Sequence, residues 1–585
     1  MILETAERIA EYSQHGWWGE QRLIDLFAQN VERTPNRVAL VDPLNRADLL
    51  GDAPQRYTYT ELAQRVNRLA THLLAAGIRQ DDIIMIQLPN IAELAIVYLA
   101  AARIGAIVSP LPMQFRAHEL RQVMSIAAPK AFIVAQRFAN FDHLAMLREL
   151  TREMPSLDLL IALGDDLPRG ILSLREWLTT DGEPTVLADY LAHRHWTAND
   201  VFSLCWTSGT EAEPKGVPRS HNLWLTSAYT TVDGAELSDG AILLNPFPMV
   251  NMSGIGGMFV PWLLTGGTLV MHHPLNLGVF LQQIAQEEVN YTVAPPVLLN
   301  MLLMNASMLA QTNLSSLKRI GSGSAPLSAW MVTQWKERYG IDVLNFFGSN
   351  EGTAMVSGPR EVTDPADRAR NFPRYGGDQL QWTNRAAHGA HSKLVDPLTR
   401  EVITRPDEPG ELAIKGPTIF SGYYRRPELT AKAFDADGYF LTGDLFAITG
   451  EQHDRYRFVG RLKDLIIRGG MKISPEELEN LIVAHPKVAD VAVVGALNRR
   501  LNDENVCAVI VPKKDESVTL HDIVEYLKAK DIASYKLPRK LVVVDALPRN
   551  AVGKVLKGTL REQLQQMDSA DDAAADQREP SGVRE

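Results

Sequence analysis

The chain has 585 residues, more than one hydrophobic core can organise, so at least two domains are expected. Its 45% hydrophobic and 22% charged residues are those of an ordinary globular protein, and a net charge of −11 excludes broad electrostatic binding to nucleic acid or to an anionic membrane. Only two cysteines occur, Cys205 and Cys507; no disulfide framework or zinc pattern can be built from them, both sit in apolar runs as core residues, and a reducing cytoplasm fits.

In chain order, Met1 opens a mixed polar, helix-like stretch with no basic-then-apolar leader. A helix is predicted from Glu61 to Leu74, a strand over Asp82–Gln87, a helix over Ile91–Ile104 and a strand over Ala131–Val134. Such alternation implies βαβ units and largely parallel sheets. A strand over Val201–Cys205 follows. From Ala241 to Gln286 there is no Asp, Glu, Lys or Arg, but Pro246, Pro248, Pro261, Gly266, Gly267 and Pro274 break the run. A spanning helix needs about 20 continuous apolar residues; a buried helix and then a buried strand, Thr268–Met271, are expected instead, and no integral membrane segment. Near Gly460 the texture becomes short and charged. A helix over Pro475–Ala484, strands over Val488–Gly495 and Val506–Val511, and a helix over Leu520–Lys530 read as a small α+β domain. Residues 568–585 have too few apolar side chains to bury and are expected to be disordered.

Five segments carry candidate chemistry. Trp206-Thr207-Ser208-Gly209-Thr210-Glu211-Ala212-Glu213-Pro214-Lys215-Gly216 follows an apolar strand. Small hydroxyl residues and glycines expose backbone N–H groups to a phosphate, and Lys215 adds charge. Gly209 and Gly216 lie too far apart for the Walker spacing, and a plain Gly/Ser loop would look similar. Asn345-Phe346-Phe347-Gly348-Ser349-Asn350-Glu351 follows another apolar strand, where an α/β sheet places ligands. An aromatic face there could stack a base, and Glu351 could hold a magnesium ion. In Gly438-Tyr439-Phe440-Leu441-Thr442-Gly443-Asp444 the carboxylate could accept hydrogen bonds from ribose hydroxyls. Gly460-Arg461-Leu462-Lys463-Asp464 and Arg468-Gly469-Gly470-Met471-Lys472 come next. Leu547-Pro548-Arg549-Asn550-Ala551-Val552-Gly553-Lys554 closes the set. Taken singly, each of the later segments is also what a turn with solvated charges looks like.

In order and spacing together, these segments resemble the core motifs of the adenylate-forming superfamily, from about Trp18 to Gln565. Within it the chain looks most like a stand-alone medium- or long-chain acyl-CoA synthetase; Gly416–Tyr424 and Leu429–Phe434 are also typical. The resemblance implies an α/β fold: a large N-terminal domain of stacked mixed and parallel sheets with helices (1–460), a hinge (461–465) and a small mobile α+β domain (466–567). It implies ATP, Mg²⁺ and coenzyme A as cofactors and a small carboxylic acid as substrate. By resemblance, Thr207, Ser208, Gly209, Thr210 and Lys215 hold the β- and γ-phosphates. Phe347 stacks on adenine, with Gly348, Ser349 and Asn350 beside it. Gly323, Ser324, Ala325 and Pro326 line the nucleotide and acyl pocket, which Asn251 and Met252 also approach. Glu351 binds magnesium, with Thr207. Asp444 and Arg461 bind ribose, Lys463 is the pivot, Gly470 and Lys472 serve the second half-reaction, and Lys554 reaches the carboxylate and α-phosphate.

Three departures stand out. Asn350 replaces the usual threonine, Val250-Asn251 replaces an aromatic–histidine pair, and Asn502 replaces a common glycine. No segment resembles a Gly-Gly-x-Ser carrier attachment site, so free coenzyme A is the expected acceptor. A ligase loading a separate carrier protein is the alternative. A decayed, non-catalytic binding protein is opposed by the intact Lys554, Glu351, Asp444 and Arg461. Apolar wall candidates such as Met249, Val250, Met252, Ile255 and Met355, with no acidic partner for an ammonium group, favour a fatty, alicyclic or aromatic acid.

Overall fold

The strands sort their side chains by a period of two, as a sheet covered on both faces requires. Ile84, Ile86, Ala131 and Ile133 enter one core, whereas Ile83, Met85, Phe132 and Val134 enter another. The computed structural model describes residues 1–154, 156–207, 213–377, 380–468, 471–498, 503–530, 532–549 and 555–576. The chain forms two units: Met1–Ser392 with Ile414–Leu441, and Lys393–Ala413 with Thr442–Glu585.

The larger unit is built on two large sheets. One has eight strands; its six central strands run parallel, from Asp342–Gly348 through Arg319–Gly323, Tyr291–Val293, Ile242–Asn245 and Thr268–Met271 to Val38–Val41. Antiparallel Ala354–Ser357 and Arg56–Thr58 close its edges. The second has seven strands, parallel except for the edge strand Lys215–Ser220, which returns antiparallel on Val201–Thr207. A shared core takes Leu243, Leu269 and Leu344 from the first sheet and Ile84, Ile133 and Phe202 from the second. Between them lies the helix Ala92–Ile104, buried everywhere except Arg103. A helix apolar all round belongs in a protein interior, and it ends on Gly105 in the left-handed conformation. Tyr59–Ala75 begins at a capping box of Thr58 and Glu61.

The predicted helices and strands of this unit are all found, with ends shifted by a few residues. The uncharged stretch folds as a strand, a broken helical segment with a π-helical turn at Ile255–Phe259, the strand Thr268–Met271 and the helix Leu277–Gln286. Among the described residues no helix is long and apolar enough to cross a membrane. Cys205 and Cys507 are buried and unbridged.

In the smaller unit, Val488–Asn498 pairs antiparallel with Asp503–Pro512, which pairs parallel with Lys540–Val543. Val491, Val493, Ala508 and Ile510 face the helices Pro475–Ile482 and Leu520–Lys528 through Leu478, Ile482, Ile523 and Leu527. The opposite face, with Ala492, Val494 and Cys507, receives Leu560 and Leu564 of the helix Lys557–Asp576. That helix continues into the stretch expected to be disordered.

Buried histidines give the larger unit a pH dependence. Burial, with Arg22 nearby, pulls His221 down to about 3; burial pulls His273 and His143 down to about 4. Each stays neutral when folded but takes up a proton near 6.5 when unfolded. Their stabilisation is therefore present above that pH and is lost as pH falls, by about 1.4 kcal/mol per unit for each group. Asp42, held up near 6 by burial and the charge of Glu93, opposes this with one proton. The midpoint of thermal unfolding should fall steadily from about pH 7 to about pH 5, and His221→Gln should flatten the slope. A midpoint independent of pH would contradict this account.

Candidate functional site

The hairpin Val201–Thr207/Lys215–Ser220 sets Thr207 opposite Lys215 in register. Ser208, Gly209 and Thr210 lie between them, outside the described residues. Lys215 is half-buried, with its Nζ 5.3 Å from the ring centroid of Tyr423. The Tyr423 hydroxyl donates to Glu351 Oε1 at 3.0 Å. The candidate phosphate lysine and the candidate metal carboxylate are therefore joined through one aromatic side chain.

Glu351 sits in the turn between Asp342–Gly348 and Ala354–Ser357. Its carbonyl accepts from Phe420 N–H at 2.8 Å. Phe347 precedes this turn, half-buried, edge-on to Phe372 at 6.0 Å. On the adjacent parallel strand, Gly323 stands opposite Phe346. A Cβ at Gly323 would lie 2.5 Å from the Phe346 carbonyl oxygen, so only glycine lets the two backbones approach. Ser324 then takes φ +68, and Ser324 and Ala325 are exposed. The Gly323–Pro326 turn and Phe347–Gly348 thus come from neighbouring strands at one sheet end, where open α/β sheets bind ligands.

Asn350, the first departure, is a cross-link. Its Oδ1 accepts from Met252 N–H at 2.9 Å and its Nδ2 donates to the Trp206 carbonyl at 3.3 Å. The hydroxyl that fits a ligand contact is one residue earlier: Ser349 Oγ is buried without a protein hydrogen-bond partner among the described residues. Asn251, the second departure, is an N-cap, its Oδ1 accepting from Ser253 and Gly254 N–H at 3.1 and 3.3 Å. Met252 lies between Gly256 and Gly348; Cβ atoms there would be 2.7 Å from its sulfur and 3.8 Å from its Cγ respectively. Asn502 lies outside the described residues.

Sequence reading missed Arg219. It is fully buried, donates from Nη1 to the Asn350 carbonyl at 2.9 Å, and donates from Nη2 to Leu223, Ser227 and Thr418. Burial pulls its guanidinium down to about 10. It clamps the Asn350–Glu351 turn from behind. A lone arginine in Pro218-Arg219-Ser220 gives no signal in the sequence, because nothing local distinguishes it from a surface cation.

In the smaller unit, Asp444 is buried and faces Arg461 across an antiparallel pair, with Nε 3.2 Å from Oδ1. Lys463 is exposed in a single 3-10 turn, Leu462–Asp464, beside buried Asp464, which accepts from Arg561 at 2.9 Å. Lys472 stands opposite Ile467 in a two-stranded hairpin. Gly470 and Lys554 lie outside the described residues; Arg549 and Val555, which flank Lys554 in the sequence, form an antiparallel bridge.

Among the described residues no group of three or more His, Cys, Asp or Glu could hold a metal. A metal here would rest on Glu351 together with phosphate oxygens, a mode suited to Mg²⁺, which keeps most of its water and takes one or two carboxylates.

Residues 27–424 match the family model of the AMP-binding enzyme, and residues 477–554 match that of the AMP-binding enzyme C-terminal domain. The chain belongs to the AMP-binding enzyme family. It is 29% identical to the medium-chain fatty-acid–CoA ligase of Escherichia coli (strain K12), over 95% of this chain and 93% of that one. It is also 29% identical to the 2,3-dihydroxybenzoate-AMP ligase of Bacillus subtilis (strain 168), over 95% and 96%. Among solved structures, ATP-bound MatB from Rhodopseudomonas palustris superposes with a TM-score of 0.76 at 26% identity, covering 94% of this chain and 100% of that one. The protein is an adenylate-forming ligase that uses ATP to activate a small carboxylic acid.

Proposed function

We propose that this ligase converts an apolar fatty, alicyclic or aromatic acid to its acyl-adenylate and then to an acyl-CoA, releasing pyrophosphate and AMP. The observation that carries the site assignment is the contact chain Lys215–Tyr423–Glu351, set beside Phe347 and the Gly323 turn. The acid's carboxylate oxygen attacks the α-phosphorus of ATP and pyrophosphate leaves. The thiol sulfur then attacks the acyl carbon and AMP leaves. Lys215, Thr207 and the 208–210 backbone hold the outer phosphates, Phe347 stacks on adenine, and Asp444 and Arg461 hold the ribose. Lys554 stabilises charge at the α-phosphate. Mg²⁺, held by Glu351 with Thr207, supplies neutralisation of phosphate charge when bound. Residues 461–465 act as a hinge between 1–460 and 466–567, with Lys463 as pivot. Turning about it withdraws Lys554 and brings Gly470 and Lys472 to the thiol step, a gating motion between two chemistries.

Protein supplied with ATP, Mg²⁺, CoA and an apolar acid should form AMP and pyrophosphate in equal amounts. Stoichiometric ADP would overturn the reading. The resemblance to an aryl acid–AMP ligase supports a second acceptor, a separate carrier protein. Acid-dependent ATP–pyrophosphate exchange without CoA acylation, across a panel of acids, would favour it.

A further inference from the structure

We infer that Tyr423 is a positioning residue that sets the candidate metal carboxylate and the phosphate-loop lysine against one another; this rests on the roles proposed above for Glu351 and Lys215. Its hydroxyl donates to one oxygen of Glu351, Oε1, at 3.0 Å, while its ring lies 5.3 Å from the Lys215 ammonium. A carboxylate on a flexible stem can rotate; a hydrogen bond to one oxygen fixes the plane and leaves the second oxygen's lone pairs for a cation. An ammonium over a ring face is attracted without being neutralised, so the ring orients Lys215 without pairing it. One rigid side chain therefore spans a positive and a negative group that must both meet the same polyphosphate.

Tyr423 is itself held. Its N–H donates to Thr430 Oγ1 at 2.9 Å, and its ring meets Phe420 edge-on at 4.9 Å. Gly422 before it has φ +148, and a Cβ there would lie 2.4 Å from Thr430 Cγ2, so the turn that delivers Tyr423 needs glycine. The next residue ties the segment to the phosphate hairpin: Tyr424 N–H donates to the Gly216 carbonyl at 2.9 Å. Phe420 N–H, three residues earlier, donates to the Glu351 carbonyl at 2.8 Å. Residues 420–424 thus contact both the phosphate hairpin and the metal turn through backbone as well as side chain. A tyrosine merely filling space would need none of these polar contacts.

The experiment is equilibrium binding of ATP without acid, by calorimetry, as Mg²⁺ is titrated, on the wild type, Tyr423→Phe, Tyr423→Leu and Glu351→Gln. Tyr423→Phe keeps the ring and loses the hydroxyl. The Mg²⁺ concentration for half-maximal enhancement of ATP binding should rise about tenfold, the scale of one hydrogen bond to a charged group, with ATP affinity in the absence of metal unchanged. Tyr423→Leu also removes the ring beneath Lys215, so metal-free ATP affinity should fall as well. The KM for the acid should stay within about twofold in Tyr423→Phe, because the residue touches no acyl-side group named above. If Glu351→Gln shifts the Mg²⁺ dependence and Tyr423→Phe does not, the inference about Tyr423 is wrong and the assignment of Glu351 stands. If neither shifts it, both fall. Unchanged metal-free affinity in a folded Tyr423→Leu would remove the Lys215 half of the proposal.

Discussion

Gly352→Ala is expected to lower acid-dependent ATP–pyrophosphate exchange about a hundredfold in a protein that still folds, the scale on which small misplacements of catalytic groups cost rate. Gly352 has φ +111, and a Cβ there would lie 1.9 Å from the Thr418 carbonyl oxygen and 2.9 Å from Arg219 Nη1. Neither neighbour can retreat. Arg219 is fully buried and engaged through both terminal nitrogens, and the Thr418 carbonyl is one of its acceptors. The turn itself must move, and it is closed by Gly352 N–H to the Ser349 carbonyl at 3.1 Å and Ser349 N–H to the Thr353 carbonyl at 3.0 Å. Displacing it carries Asn350 off Met252 and Trp206, and Glu351 off Tyr423. Gly438→Ala is the control: φ is +78, but nothing lies within 4 Å of the added carbon. It should cost only the left-handed strain, about 1 kcal/mol, and leave exchange nearly intact. A Gly352→Ala enzyme with normal exchange would show that the turn need not be held where it is.

Much of this architecture is legible in the sequence because it rests on local rules. The strand Thr268–Met271 was expected at the bounds observed, and Ala92–Ile104 and Ile83–Gln87 within a residue, since period, length and flanking glycines speak directly. The segment holding Phe347 and Glu351 was expected after an apolar strand, and Asp342–Gly348 is that strand. What the sequence does not carry is chemistry made by long-range contact. Tyr423 is 72 residues from the Glu351 it holds, and Arg219 is 131 residues from Asn350. Asn350 and Asn251 stood out as departures from a pattern, which invited functional readings. The structure shows the Asn350 amide bonded to protein on both its oxygen and its nitrogen and the Asn251 oxygen capping a helical turn, uses that need knowledge of which backbone groups lie nearby. The resemblance picks out Ser349 beside Phe347, but that its Oγ is buried and unpartnered among the described residues is a fact of the surrounding structure.

Lys554→Ala is expected to cut acyl-adenylate formation by about 10²–10³, the usual loss when one preorganised charge stabiliser is removed. The reasoning starts from where charge appears. As the acid's oxygen closes on the α-phosphorus, negative charge builds on the phosphoryl oxygens and on departing pyrophosphate. A cation placed there beforehand stabilises the transition state without reorganisation. In the sequence Lys554 falls between Arg549 and Val555, which are fixed within the smaller unit: the two form a bridge, Arg549 Nη2 pairs with Asp490 at 2.5 Å, and Leu547 is buried. Under the proposed hinge at 461–465, a lysine between such anchors is delivered and withdrawn with residues 466–567. In thiol attack the sulfur closes on the acyl carbon, the thiol loses its proton, and charge passes to the α-phosphate only as AMP leaves; under the proposed hinge Lys554 has by then been withdrawn. Given preformed acyl-adenylate and CoA, the Lys554→Ala protein should therefore make acyl-CoA at close to the normal rate. An ordinary surface lysine would leave both steps unchanged, and a folding defect would remove both. Measuring the two half-reactions separately, with thermal unfolding as the check on folding, distinguishes these cases. Equal loss of both steps in a well-folded variant would place Lys554 at the site throughout and remove the reason for a hinge.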